Sequence, residues 1–159
     1  MSKKMIIITG VIFMGMIALG VFIFFAAMRQ PVTDATHGVV ELKGERFEVE
    51  LARTLAEQGS GLSGRASLSQ NEGMLFLFPT NQTRHFWMKG MLISIDIIWI
   101  KDEKVVGIER NIPVPPNELA AMRPYASPVP LDTVLEVVGG TSDRLGIVVG
   151  DNVGITLKK

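Results

Sequence analysis

The chain has 159 residues and a formal net charge of zero, with 16 basic and 16 acidic side chains and no cysteine. The lack of cysteine excludes disulfides, thiol chemistry, cysteine-rich metal sites and a cysteine-linked lipid anchor. The zero average conceals two parts: an uncharged apolar run, and a remainder of ordinary composition long enough for one domain around one core.

The apolar run is Met5 to Met28. At about 1.5 Å per residue such a helix reaches about 36 Å, enough to cross a hydrocarbon layer of about 30 Å with some tilt. Lys3 and Lys4 precede the run, while Arg29 and soon Asp34 follow it. The positive-inside rule therefore predicts a single-pass protein of the cell membrane, with residues 1–4 in the cytoplasm, a transmembrane helix over 5–28 and the rest outside. The alternative is a cleaved signal peptide. A signal core is usually about 7–15 residues and ends in small side chains, whereas Phe24, Phe25 and Met28 crowd the end of this one. An uncleaved anchor is the expectation. Gly10, Gly15 and Gly20 recur every fifth residue, which is not the spacing of a GxxxG dimer face.

Residues 29–38, ending in PVTDATHG, read as a linker, and 39–159 as an extracytoplasmic domain. Without Lys3, Lys4 and Arg29 the remainder holds 13 basic against 16 acidic residues and no basic cluster, so nucleic acid is not an expected partner. Val39 to Lys43 and Arg46 to Ala52 predict two strands around a turn at Lys43-Gly44-Glu45; Phe47, Val49 and Leu51 alternate with charged residues. Thr54 is placed to cap a short helix through Gln58, with Gly59 ending it. The glycine-rich Gly59 to Gly64 lacks the spacing of a phosphate loop and reads as a turn.

Gly73 to Phe78 predicts a strand apolar on both faces, stopped by Pro79. His85 to Ile100 is too long for one typical strand of about 5–6 residues. Gly90 divides it into Phe86 to Lys89 and Leu92 to Ile100. In the second part Ile93, Ile95, Ile97 and Trp99 share one face, and Leu92, Ser94, Asp96, Ile98 and Ile100 the other, which predicts a buried central strand. A charged turn at Lys101 to Lys104 leads into Val105 to Ile112, ended by prolines. After a long loop to about Asp132 come a strand over Val134 to Val138, a helical turn over Thr141 to Leu145 capped by Thr141, and a last strand over Val153 to Leu157. The predicted fold is mainly β: a small barrel- or sandwich-like domain of about seven short strands with one or two helical turns, behind one transmembrane helix.

Gly61-Leu62-Ser63-Gly64-Arg65, Gly73-Met74-Leu75-Phe76-Leu77-Phe78 and Phe86-Trp87-Met88-Lys89 occur in that order, followed by Ile95-Asp96-Ile97, Tyr125-Ala126-Ser127 and Val134-Leu135-Glu136. The ordered set resembles the bacterial and archaeal family known as domain of unknown function 192, over nearly all of the outer domain. The resemblance implies a compact, mainly β domain, often exported, whose activity is not settled. The chain departs from the family pattern at Ser63, where methionine is usual, and at Gly90-Met91, where the family has Asn-Thr. Polar contacts that such an Asn-Thr pair would make are lost here.

Six residues form the candidate ligand-binding set: Arg65, Trp87, Lys89, Asp96, Tyr125 and Ser127. An ammonium and a carboxylate within apolar strands are costly unless paired. Lys89 is read as an anion binder beside Trp87, or as the structural partner of Asp96. Arg65 suits a bidentate carboxylate, from Asp96 or from a ligand. Tyr125 and Ser127 lie on the long loop, where they bind a ligand or tie the loop down. His37 and His85 do not suggest a metal site, and no cofactor is expected. The resulting expectation is a membrane-anchored binding or accessory domain for a small polar ligand or an envelope partner. The alternatives are a structural or assembly protein with no ligand site, and a hydrolase built on Asp96 and Lys89.

Overall fold

The computed structural model describes residues 35–158. The predicted anchor and most of the predicted linker lie outside these residues; among those described, no helix is long and apolar enough to cross a membrane. The matching unit of chain runs from Ala35 to the C-terminus. Its strands are β1 His37–Leu42, β2 Glu45–Ala52, β3 Glu72–Gln82, β4 His85–Phe86, β5 Ile95–Lys101, β6 Lys104–Ile112, β7 Tyr125–Ala126, β8 Leu131–Val138 and β9 Val153–Lys158. Three short helices intervene: α1 Leu55–Ser60, α2 Glu118–Ala121 and α3 Thr141–Leu145.

Seven strands make one sheet in the order β6-β5-β8-β3-β2-β1-β9, and β4 with β7 makes a two-stranded ribbon. The architecture is mainly β, as the alternating segments predict, but the sheet is open rather than a closed barrel. Closure needs a strand register that carries on around the sheet. Here the two edges share one isolated bridge, Lys104 to Asn152, with flanking bonds from Val105 N–H to Asp151 O and Val153 N–H to Glu103 O, while β9 pairs with β1 along its whole length.

All neighbours in the large sheet are antiparallel except β2 and β3. A parallel pair cannot be joined by a tight hairpin and needs a crossover. The crossover is the segment between Ala52 and Glu72, so the sheet topology places α1 and the glycine-rich loop over one face.

Alternation along the central strands gives each face its own core. Leu75, Ile98, Ile100, Leu135 and Val137 pack with Val40, Phe47 and Val49 on one side. Phe76, Ile95, Ile97, Trp99 and Val134 pack on the other with Leu62, Met88 and Met91 from the covering loops. β5 is buried at six of its seven positions, as its two apolar faces predict. Its faces divide as read from the sequence, so Asp96 shares its side with Ile98 and Ile100, opposite Trp99.

Several boundaries differ from the sequence reading. β1 begins at His37 and Ala35 is already buried, so the domain starts inside the predicted linker. α1 continues through Gly59 and ends at Gly61, whose φ is 51°; Thr54 does cap it, in a capping box with Glu57. Pro79 does not stop β3, because the register shifts between Leu77 and Gln82, and proline is tolerated at such an irregularity. The strand expected over Phe86 to Lys89 is only His85–Phe86. Beyond it the chain turns: Met88 N–H donates to Ala121 O, Met91 N–H to Met88 O and Gly64 N–H to Gly90 O. α3 has Gly140, not Thr141, at its N-cap, with no side-chain cap of its own.

Candidate functional site

The crossover and the His85 to Met91 segment leave a cleft between them, with a volume of about 380 Å³. Its apolar side chains are Leu55 and Leu62 from the crossover, Phe76 and Phe78 from β3, and Phe86, Trp87 and Met91 from the opposite segment, with Gln58, Ser60, Ser63 and Thr83 adding polar groups. Phe86 organises the aromatic wall. It makes edge-to-face contacts with Phe76 at 4.8 Å, Trp99 at 5.5 Å and Phe78 at 6.5 Å between ring centroids, within the range that aromatic pairs favour. Arg84 and His85 also line the cleft. The Arg84 guanidinium lies 3.9 Å from the Phe78 ring centroid. Its Nε donates to Leu131 O and its Nη2 to Thr80 O.

Glu136, from β8, completes the lining. Opposite it across the sheet stand Met74 of β3 and Ile97 of β5. Alternation on β8 puts Val134 and Glu136 on the face that carries Phe76 and Trp99. The side chain is buried, and its Oε2 has no hydrogen-bond partner among the described residues. A Cβ added to Gly61 would stand 3.8 Å from that oxygen, so the glycine-rich loop runs directly over it. Burial alone pushes the Glu136 carboxyl up to about 8, because an ionised carboxylate is poorly solvated there. At neutral pH the cleft therefore presents an undissociated acid, able to donate one hydrogen bond and to accept others.

The six residues singled out from sequence are not brought together. Trp87 alone lines the cleft, with 48% of its surface exposed. Lys89 is exposed and forms no ion pair among the described residues; its backbone carbonyl accepts from Ser63 Oγ at 2.7 Å. Asp96 lies on the opposite face of the sheet, fully buried. Its Oδ1 accepts from Asn111 N at 2.6 Å and Gly140 N at 2.9 Å, and its Oδ2 from Ser142 N at 2.6 Å. It thus caps α3 from a distant strand, which is why α3 needs no cap of its own. The expected pair of Lys89 with Asp96 does not form, and the hydrolase arrangement built on it does not assemble.

Arg65 instead grips Glu50 with two bonds of 2.6 Å, and holds that carboxyl below its ordinary range. The pair lines a second concavity next to the cleft, with Ser60 and Gly61 shared between the two. Tyr125 pairs with Phe86 in the two-stranded ribbon. Ser127 Oγ accepts from Arg84 N and donates to Val129 O, while Ser127 N–H donates to Arg84 O. Both residues tie down the segment that forms the cleft wall.

The departures at Ser63, Gly90 and Met91 have a structural account. Gly90 has φ 70°, a region open to glycine and, among other residues, best tolerated by asparagine. Met91 is buried in the cleft wall, and Ser63 fastens the Lys89 carbonyl across the cleft mouth.

Glu136 was missed by the sequence reading, although it carries the signal that drew attention to Asp96: a lone carboxyl in an apolar strand. In Val134-Leu135-Glu136-Val137-Val138 both neighbouring positions are apolar, so the pattern alone does not say which face the acid meets.

These features define a class: an open, mainly β domain with an aromatic cleft around a buried acid. The profile of domain of unknown function 192, described only as an uncharacterised ACR, matches residues 38–155, and the chain belongs to that family. It is similar to a solved protein of unknown function from Novosphingobium aromaticivorans DSM 12444. The two are 36% identical, the match covers 79% of this chain and 89% of that one, and the TM-score is 0.67. A second solved relative, from Sinorhizobium meliloti 1021 and described provisionally as a transcription regulator, is 27% identical. That match covers 74% of this chain and 91% of the other, with a TM-score of 0.65. No curated protein matches.

Proposed function

We propose that the domain is a binding or accessory module that holds a small ligand in the cleft over Glu136. The observation that carries this reading is the buried Glu136 carboxyl at the cleft, whose Oε2 has no hydrogen-bond partner among the described residues. An unmet polar atom inside a protein costs about 1–3 kcal/mol; among the described residues Trp99 Nε1, Thr141 Oγ1 and Ser142 Oγ share that condition, but Glu136 Oε2 alone belongs to a residue that lines the cleft. The cleft's size and aromatic lining fit the general form of small-molecule sites, in which apolar walls surround a few polar groups. This reading moves the binding centre from Lys89 and Asp96 to Glu136, and keeps Trp87. The acidic balance of the outer domain favours a small molecule over nucleic acid. The predicted anchor at residues 5–28 would hold the module at the outer face of a cell membrane, which protease accessibility on intact cells and on inverted vesicles tests.

Trp87 supplies the binding test, because it stands half-exposed in the cleft while Trp99 is 1% exposed. A fragment library is titrated against the full chain and read by tryptophan emission, with Trp87→Phe as control. Saturable changes that vanish in Trp87→Phe and in Glu136→Leu support the reading. Hits that persist unchanged in Glu136→Leu place binding elsewhere.

A further inference from the structure

We infer that the group recognised at Glu136 is neutral and both donates and accepts hydrogen bonds, with a primary carboxamide on an aromatic or apolar body as the best match. This rests on the binding function proposed above and specifies the chemistry of its ligand.

Uncharged groups face the acid. Its cross-strand neighbours are Met74 and Ile97, and Phe76 and Gly61 lie against the same space. None of these carries a charge. The titratable groups nearby are peripheral or committed. Arg84 is stacked on Phe78 and bonded to two carbonyls, His85 is exposed, and Arg65 and Glu50 neutralise each other in the adjoining concavity. The upward shift at Glu136 has burial as its cause and no charged neighbour.

Three kinds of ligand group can be weighed against that setting. A carboxylate would bring a bare anion to a place with no facing cation, and buried charge is costly unless paired. An ammonium would need Glu136 to release its proton and then form an ion pair between apolar walls, where desolvation can exceed the Coulombic gain. A carboxamide needs neither. It can accept from the Glu136 O–H through its carbonyl or donate to the carboxyl through its N–H, and no charge is created or moved. The amide is planar and suits the aromatic walls, and the cleft volume of about 380 Å³ accommodates a single-ring body.

The test uses three probes that share a ring and differ in the polar group: benzamide, benzylamine and benzoate. Each is titrated into the full chain and read by Trp87 emission, at about pH 6 and about pH 9, on either side of the Glu136 transition. Benzamide is expected to bind about tenfold or more tightly than the other two at the lower pH, and to weaken at the higher pH as Glu136 loses the proton it donates. Glu136→Gln, which keeps a neutral donor and acceptor, is expected to hold benzamide at both pH values alike, and Glu136→Leu to lose it. Preference for benzylamine, with affinity rising with pH, overturns the inference in favour of a cation site. Preference for benzoate overturns it in favour of an anion site. Both of those outcomes leave the binding function standing. Binding of no probe, with Glu136→Leu indistinguishable from wild type across the wider fragment library, removes the binding function as well.

Discussion

Three backbone amides converge on Asp96, whereas Glu136 Oε2 has no partner among the described residues. Removing Asp96 would orphan the buried donor at Ser142 and the part-buried donors at Asn111 and Gly140, so Asp96→Ala is expected to cost about 3–5 kcal/mol by urea unfolding. Lys89→Met, at an exposed position, should stay within about 0.5 kcal/mol of wild type in the same assay. Arg65→Ala removes a half-exposed ion pair with Glu50. Its loss should be about 1 kcal/mol or less and should shrink further in high salt. Glu136 imposes a pH dependence of known sign. Its folded-state value is about 8 against an ordinary 4.5, so the native state holds a proton that the unfolded chain releases. The associated stability is complete below about pH 4.5, declines as the pH rises toward 8, and is gone above that, amounting to about 5 kcal/mol at most. Unfolding free energies of wild type and Glu136→Gln, compared from acid to mildly alkaline pH, should diverge over that window in favour of the variant. A constant difference would show that Glu136 is ionised in the fold.

At the scale of elements, the cleft exists because β2 and β3 run parallel and the chain must cross over the sheet between them. Gly73, at the start of β3, shows how closely the strands behind the cleft are set. A Cβ there would lie 2.6 Å from the Glu136 carbonyl oxygen on β8. Gly73→Ala should therefore force β3 and β8 apart, cost about 1–3 kcal/mol, and shift Trp87 emission. An unchanged spectrum with unchanged stability would mean that the strands relax freely. Much of this layer was legible in the sequence. The two apolar faces of Leu92 to Ile100 identify the central strand, although it begins only at Ile95, and Thr54 marks the start of α1. What was not legible depends on partners distant in the chain. Asp96 caps a helix that begins 45 residues later, Arg65 of the crossover reaches back to Glu50 on β2, and the Trp87 to Gly90 turn is fixed by bonds to Gly64 and Ala121. Residue type announces that such a group needs a partner, but only the strand order decides which one.

At the largest scale, the described domain places its two buried carboxyls, Asp96 and Glu136, on opposite sides of one sheet. On the side of Asp96 the buried carboxylate is fully engaged and secures the junction of β5, β6 and α3. On the side of Glu136 the acid's Oε2 has no partner among the described residues, and the covering layer is made of loops, α1 and the short β4–β7 ribbon. Ser127, buried and bonded to Arg84 on both its hydroxyl and its amide, is the fastening between that layer's two halves. Open sheets of this kind have edges that natural proteins protect. Here the Lys104–Asn152 bridge and the bonds that Val105 and Glu103 make to Gly150, Asp151 and Val153 bring the two edges together at one end.

The pairing of β1 with β9 carries a mechanical consequence. His37 stands opposite Lys158, so the described chain enters and leaves its sheet side by side. A force applied to those two residues acts across the antiparallel ladder and opens its bonds one at a time, beginning at His37 and Lys158, instead of shearing them all together. A domain held at His37 and loaded at Lys158 would thus yield by peeling β9 away from one edge, while β8, β3 and the cleft between their loops stayed assembled behind it.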